Sequence, residues 1–124
     1  MQVILRDSDS KQDGIITLTE EAKPIFYSDI EPEVRDKTFA SLSKCMSRKA
    51  FITNPTFIDS DIKIPKAYFF CEKDVAISPE LQEGFVKTGG FKEVRLPAGH
   101  APFINIPDKV VDAIVQFSGE VAGS

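Results

Sequence analysis

The chain holds one histidine, His100, in the stretch LPAGHAPF at positions 96 to 103. An imidazole is the side chain best suited to proton transfer near neutral pH, because its unperturbed pKa lies at about 6.5. A carboxylate bonded to one ring nitrogen would fix the tautomer and stabilise the imidazolium. The second nitrogen would then be free to take a proton from a hydroxyl or thiol. The carboxylate with the right placement is Asp74, 26 positions earlier. Plainer roles are a surface histidine and, for Asp74, a turn residue or a cap for the helix that starts near Ser78.

The elements around the pair decide whether they can meet. Ala67-Tyr68-Phe69-Phe70-Cys71 is a charge-free run that suits a strand buried on both faces. Glu72-Lys73-Asp74 ends it. Ser78-Pro79-Glu80 combines a hydroxyl cap, a proline and an acid, and predicts a helix running to Thr88 and stopping at Gly89-Gly90. Phe91 to Leu96 reads as a second strand nearer an edge. Pro107-Asp108 opens a last helix with Val110, Val111, Ile114, Val115 and Phe117 on one side, and the tail GEVAGS is expected to fray. This β-α-β-α order predicts parallel strands, and ligands in such sheets sit beyond the carboxyl ends of the strands. Asp74 and His100 each lie just past such an end. Gly99 is expected at a positive φ in the tight turn leaving the second strand.

Upstream of about residue 62 the pattern changes. Val3-Ile4-Leu5 and Ile15-Ile16-Thr17-Leu18, joined by a polar loop from Asp7 to Asp13, read as a hairpin. Thr19 can cap a short helix with Glu20 and Glu21 in its first turn. Asp29-Ile30-Glu31-Pro32 predicts the start of a longer helix that ends at Asn54-Pro55 and carries one apolar stripe through Val34, Thr38 or Phe39, Leu42, Cys45 or Met46, and Ala50. Phe26, Tyr27, Phe39 and Phe51 in this part could line an apolar pocket or pack a core.

The composition narrows the partners. The 124 residues make one domain or part of one, with ordinary apolar (42%) and charged (27%) fractions. A net charge of −4 and scattered cations argue against a nucleic-acid partner. No apolar run approaches the roughly 20 residues needed to span a bilayer, and no signal peptide is visible. Cys45 and Cys71 fit neither a metal site nor a disulfide framework; they read as reduced thiols of a cytoplasmic protein. Neither a CxxC nor a glycine-rich phosphate loop is present, so no cofactor and no metal is expected.

Two longer stretches resemble a known family. IPKAYFFCEKDVAISPELQEGF, with its C-E-x-D-x-A-I-x-P-x-x-Q pattern, resembles the strand, acid turn and helix of soluble α/β hydrolases. LPAGHAPFINIPDKVVDAIVQF is similar to that family's histidine loop and closing helix. The first part, including Ile25-Phe26-Tyr27-Ser28-Asp29 and the helix opening E-P-E, is similar to the lid of the esterase, plant methylesterase and hydroxynitrile-lyase-like branch and its fungal and bacterial relatives. The resemblance implies an α/β fold: a lid over residues 1–62, then the C-terminal β-α-β-α portion of the hydrolase core over 63–124. It implies that Asp74 orients His100, that His100 is the general base, and that the substrate is a small ester-like molecule. Asp74 before His100 also matches the family's order of nucleophile, acid, histidine. Ala101 departs from the polar residue common there. The larger departure is that no G-x-S-x-G elbow occurs. Ser41, Ser43, Ser47 and Cys45 fall on the expected lid helix, Ser8 and Ser10 in the polar loop, and Cys71 inside a strand. The expectation is therefore the C-terminal half of a hydrolase, truncated or one part of a split protein, inactive alone. The alternative is a non-catalytic module that pairs with a separate N-terminal half or associates with itself through an exposed strand edge.

Overall fold

The computed structural model describes residues 5–8 and 14–124, the side chains from residue 14 onward. Val3, Ile4 and Ser10 of the expected hairpin lie outside the described residues. Strand β1 (Leu5–Ser8) runs antiparallel to β2 (Ile15–Leu18), with Leu5 opposite Leu18 and Ser8 opposite Ile15. Asp7 and Ser8 thus belong to a strand and not to the loop. A 3-10 turn (Glu20–Ala22) leads into α1 (Lys23–Phe26), and α2 spans Pro32–Ser41.

The long helix expected to reach Asn54 does not form. After Ser41 the chain turns into β3 (Cys45–Ser47), which pairs antiparallel with β2 and places Cys45 opposite Thr17 and Ser47 opposite Ile15. A short helix α3 (Arg48–Ile52) follows, capped by the Ser47 hydroxyl, which accepts from the Ala50 N–H. Cys45 and Ser47 are therefore strand residues, and Ser43 lies between elements. The expected stripe fails for the same reason. Within α2 only Phe39 is buried, while Val34 and Leu42 are exposed. A helical period read across a helix, a strand and a second helix was an accident of spacing, and the pairing of β3 with β2 outweighed it.

The C-terminal half follows the expected order closely. Strand β4 (Ala67–Cys71) lies parallel to β5 (Lys92–Leu96), with Ala67 opposite Lys92 and Cys71 opposite Leu96. Between them runs α4 (Pro79–Gly89). Ser78 caps it by accepting from the Leu81 N–H at 3.3 Å, and Gly90 ends it in the left-handed conformation at φ 66°. After β5 come the short helix α5 (Pro102–Asn105) and α6 (Pro107–Ala122). The tail expected to fray is helical through Ala122. Burial of β4 is one-ended: Phe70 and Cys71 are buried, whereas Ala67, Tyr68 and Phe69 are half-buried. The Arg95 guanidinium lies 4.2 Å from the centre of the Phe70 ring.

The core joins the two halves of the chain. Ala22, Tyr27, Ile30 and Phe39 pack with Ala101, flanked by Leu18, Ile25, Phe26 and Ile104. Phe39 is fully buried, with the ammonium groups of Lys23 and Lys44 5.3 Å and 4.7 Å from its ring centre. Burying such a ring contributes about 1.5–3 kcal/mol. It also fixes the N-terminal segment against the turn that carries His100.

Candidate active site

The parallel ladder continues past the strand ends and brings the pair together. The Glu72 N–H donates to the Leu96 carbonyl at 3.1 Å, and the Lys73 N–H donates to the Ala98 carbonyl at 3.0 Å. One residue further on one side and two on the other are Asp74 and His100. The His100 Nδ1 lies 2.9 Å from the Asp74 Oδ2. An ionised carboxylate only accepts, so Nδ1 carries the proton and Nε2 is the nitrogen left for exchange with a reacting group. The Asp74 side chain is 5% exposed and that of His100 is 32% exposed. The acid is enclosed, and the imidazole reaches the surface.

Both expected site residues thus converge. The second carboxylate oxygen of Asp74 accepts from the backbone N–H groups of Ala76 (2.8 Å) and Ile77 (3.0 Å). Asp74 does not cap α4, a role that Ser78 fills; it closes a turn on itself and presents Oδ2 outward. The turn has a further anchor. Gln82, fully buried on α4, accepts from the Cys71 N–H at 2.9 Å and donates to the carbonyls of Cys71 and Ile77, both at 2.9 Å. It ties the end of β4 to the start of α4 and encloses the Asp74 turn between them. A signal for Gln82 exists in the sequence: Gln82, Val86 and Gly89 share the inner face of α4 at helical spacing, so an amide there must find backbone partners.

The N-terminal segment supplies two groups. The Phe26 ring stacks on the imidazole, with centroids 4.9 Å apart and planes inclined by 20°. Asp29, expected at a helix start, does not cap α2, whose cap position is Glu31. Its Oδ2 instead accepts from the Gly99 N–H at 2.7 Å and the Asn105 amide at 2.9 Å. No local rule assigns this, because the partners are 70 and 76 residues away. Gly99 also corrects an expectation. Gly90 is the positive-φ glycine of the described residues, and Gly99 is glycine for another reason. A Cβ there would lie 2.6 Å from the Asp29 Oδ1 and 3.2 Å from the Ser28 hydroxyl.

Burial shapes the nearby titrations. The Cys71 thiol is pushed up by burial first, then by the Asp74 and Asp29 carboxylates. Tyr68 is pushed up by burial, with smaller contributions from Cys71 and Asp74. A thiol held protonated is a poor nucleophile. Among the described residues no cluster of three or more His, Cys, Asp or Glu could hold a metal ion, and no helix is long and apolar enough to cross a membrane.

An acid–imidazole pair at the carboxyl ends of two parallel strands can move a proton through the free ring nitrogen. No family model matches the chain. The α/β hydrolase nvfD of Aspergillus novofumigatus is 31% identical over 114 residues, covering 89% of this chain and 45% of that protein. The probable hydrolase R7 of a Phoma species is 44% identical over 64 residues, covering 47% of this chain and 26% of that one. Among solved structures, a pyrethroid hydrolase from Sphingobium faniae superposes with a TM-score of 0.76 at 21% identity, over 99% of this chain and 50% of its own. Polyneuridine aldehyde esterase superposes at 0.74 with 16% identity, over 92% and 48%. The chain spans half or less of the length of each of these proteins. It belongs to the α/β-hydrolase superfamily and carries the C-terminal part of that fold.

Proposed function

We propose that this chain carries the acid and the base of an ester-hydrolase triad, with Asp74 orienting His100 and residues 1–62 forming a lid over a small ester-like substrate. The observation that supports this best is the 2.9 Å contact between an enclosed carboxylate and an accessible imidazole. In this reading Nε2 accepts a proton from the attacking hydroxyl and later returns it to the leaving alcohol. Phe26 holds one face of the ring. The nucleophile elbow comes from a segment not among these 124 residues, since no G-x-S-x-G occurs in them. Loss of a triad nucleophile costs on the order of a million-fold in turnover. The 124-residue chain therefore leaves p-nitrophenyl acetate at its background rate of hydrolysis. Turnover well above background, abolished by His100→Ala, would overturn the missing-nucleophile reading.

A second reading, a module that pairs with a separate N-terminal half or with itself, is favoured by one specific observation. No residue of α6 is buried, and Val111, Ile114 and Val115 on its apolar side are 56%, 50% and 65% exposed. An apolar helix face of this kind normally lies against a sheet. A sharp monomer peak with a cooperative melt would count against this association.

A further inference from the structure

We propose that Asp29 is a positioning residue for His100, holding the histidine turn from the N-terminal segment. The inference rests on the dyad reading above and extends it to a residue with no part in proton transfer. Asp29 sits between Tyr27 and Ile30, both buried in the core, so its backbone is anchored. Its Oδ2 accepts from the Gly99 N–H at 2.7 Å, immediately before His100, and from the Asn105 amide at 2.9 Å, five residues after it. One oxygen thus brackets the whole turn. The other, Oδ1, is buried without a hydrogen-bond partner among the described residues. It lies against Gly99 so closely that a Cβ at that position would meet it at 2.6 Å. Gly99 therefore admits the carboxylate, and the carboxylate fixes the backbone from which the imidazole extends. Phe26, on the same segment, presses on the ring itself. Bonds to an ionised acceptor are roughly twice as strong as neutral ones. The His100–Asp74 geometry accordingly depends on a contact made from outside the β-α-β-α unit.

His100 is the single histidine, so its ring proton can be followed without ambiguity. In the 124-residue chain, Nδ1–H should give one low-field proton resonance that Asp74→Asn removes. Asp29→Ala is expected to speed exchange of that proton ~10-fold, and Asp29→Asn, whose amide oxygen still accepts from Gly99, by no more than ~3-fold. A staple that served stability alone would lower the melting temperature and leave this exchange rate unchanged in the folded protein. Should Asp29→Ala fail to fold, Asn105→Ala at an exposed position reads the same bracket from its other end, with exchange ~3-fold faster. Wild-type exchange in the variants that fold overturns the positioning role and leaves the dyad intact. Absence of the resonance from the wild type, or its survival in Asp74→Asn, overturns the dyad itself and the inference with it.

Discussion

Replacing Asp74 by asparagine should reverse the tautomer of His100 without disturbing the fold. The carboxylate faces two kinds of neighbour. Oδ1 accepts from two backbone N–H groups, those of Ala76 and Ile77, and Oδ2 meets Nδ1 of His100. An asparagine must turn its oxygen toward the two N–H groups, because the opposite orientation sets donors against donors and forfeits both bonds. At about 1 kcal/mol net for each bond, the correct orientation is favoured by about 2 kcal/mol, or roughly 30-fold. The amide NH2 then faces Nδ1, which can only accept, and the ring proton moves to Nε2. The nitrogen needed as a base is thereby blocked. In an assembled triad such a change lowers turnover by roughly 10⁴-fold. Stability should fall by only about 1–2 kcal/mol, the difference between a charge-assisted and a neutral hydrogen bond. Long-range ¹H–¹⁵N spectra of the single histidine distinguish the tautomers directly. An Asp74→Asn variant that keeps Nδ1–H, or a wild type that already carries Nε2–H, would refute the reasoning.

Two further outcomes follow from buried groups near the dyad. Gln82→Leu leaves the Cys71 N–H and the carbonyls of Cys71 and Ile77 without their partner, and should cost about 2–4 kcal/mol in urea unfolding; a loss under about 0.5 kcal/mol would show that Gln82 does not hold the turn. Burial, aided by Asp74 and Asp29, raises the Cys71 thiol above its ordinary 9.0, so the folded chain holds that proton longer than the unfolded chain does. The resulting stability is complete below 9.0 and is lost as pH rises from there through the folded-state value. The urea midpoint should therefore fall as pH rises above about 9, less steeply in Cys71→Ala, and equal slopes for the two proteins would contradict this.

Local signals were sufficient where local chemistry decides the structure. The charge-free run Ala67–Cys71, the Ser78-Pro79-Glu80 start, the Gly89-Gly90 stop and the single His100 past a second strand together place a parallel unit with Asp74 and His100 at one end. That inference needs only strand polarity, helix capping and the geometry of a parallel crossover, each of which acts over a few residues. The region from Leu42 to Ile52 failed because a run with apolar residues at mixed spacings fits a helix or a strand equally well. The open edge of β2 selected the strand for Cys45–Ser47.

What the amino-acid sequence determined by itself is a carboxylate and an imidazole, their order, and the sheet end at which they meet. Tertiary structure alone decided that Asp29 reaches Gly99 and Phe26 reaches His100, and that Gly99 is glycine because a carboxylate lies against it and not because of its φ. The physical reason is separation: contacts spanning about seventy residues depend on how the core around Phe39 and Ala101 packs, and no spacing along the chain encodes them.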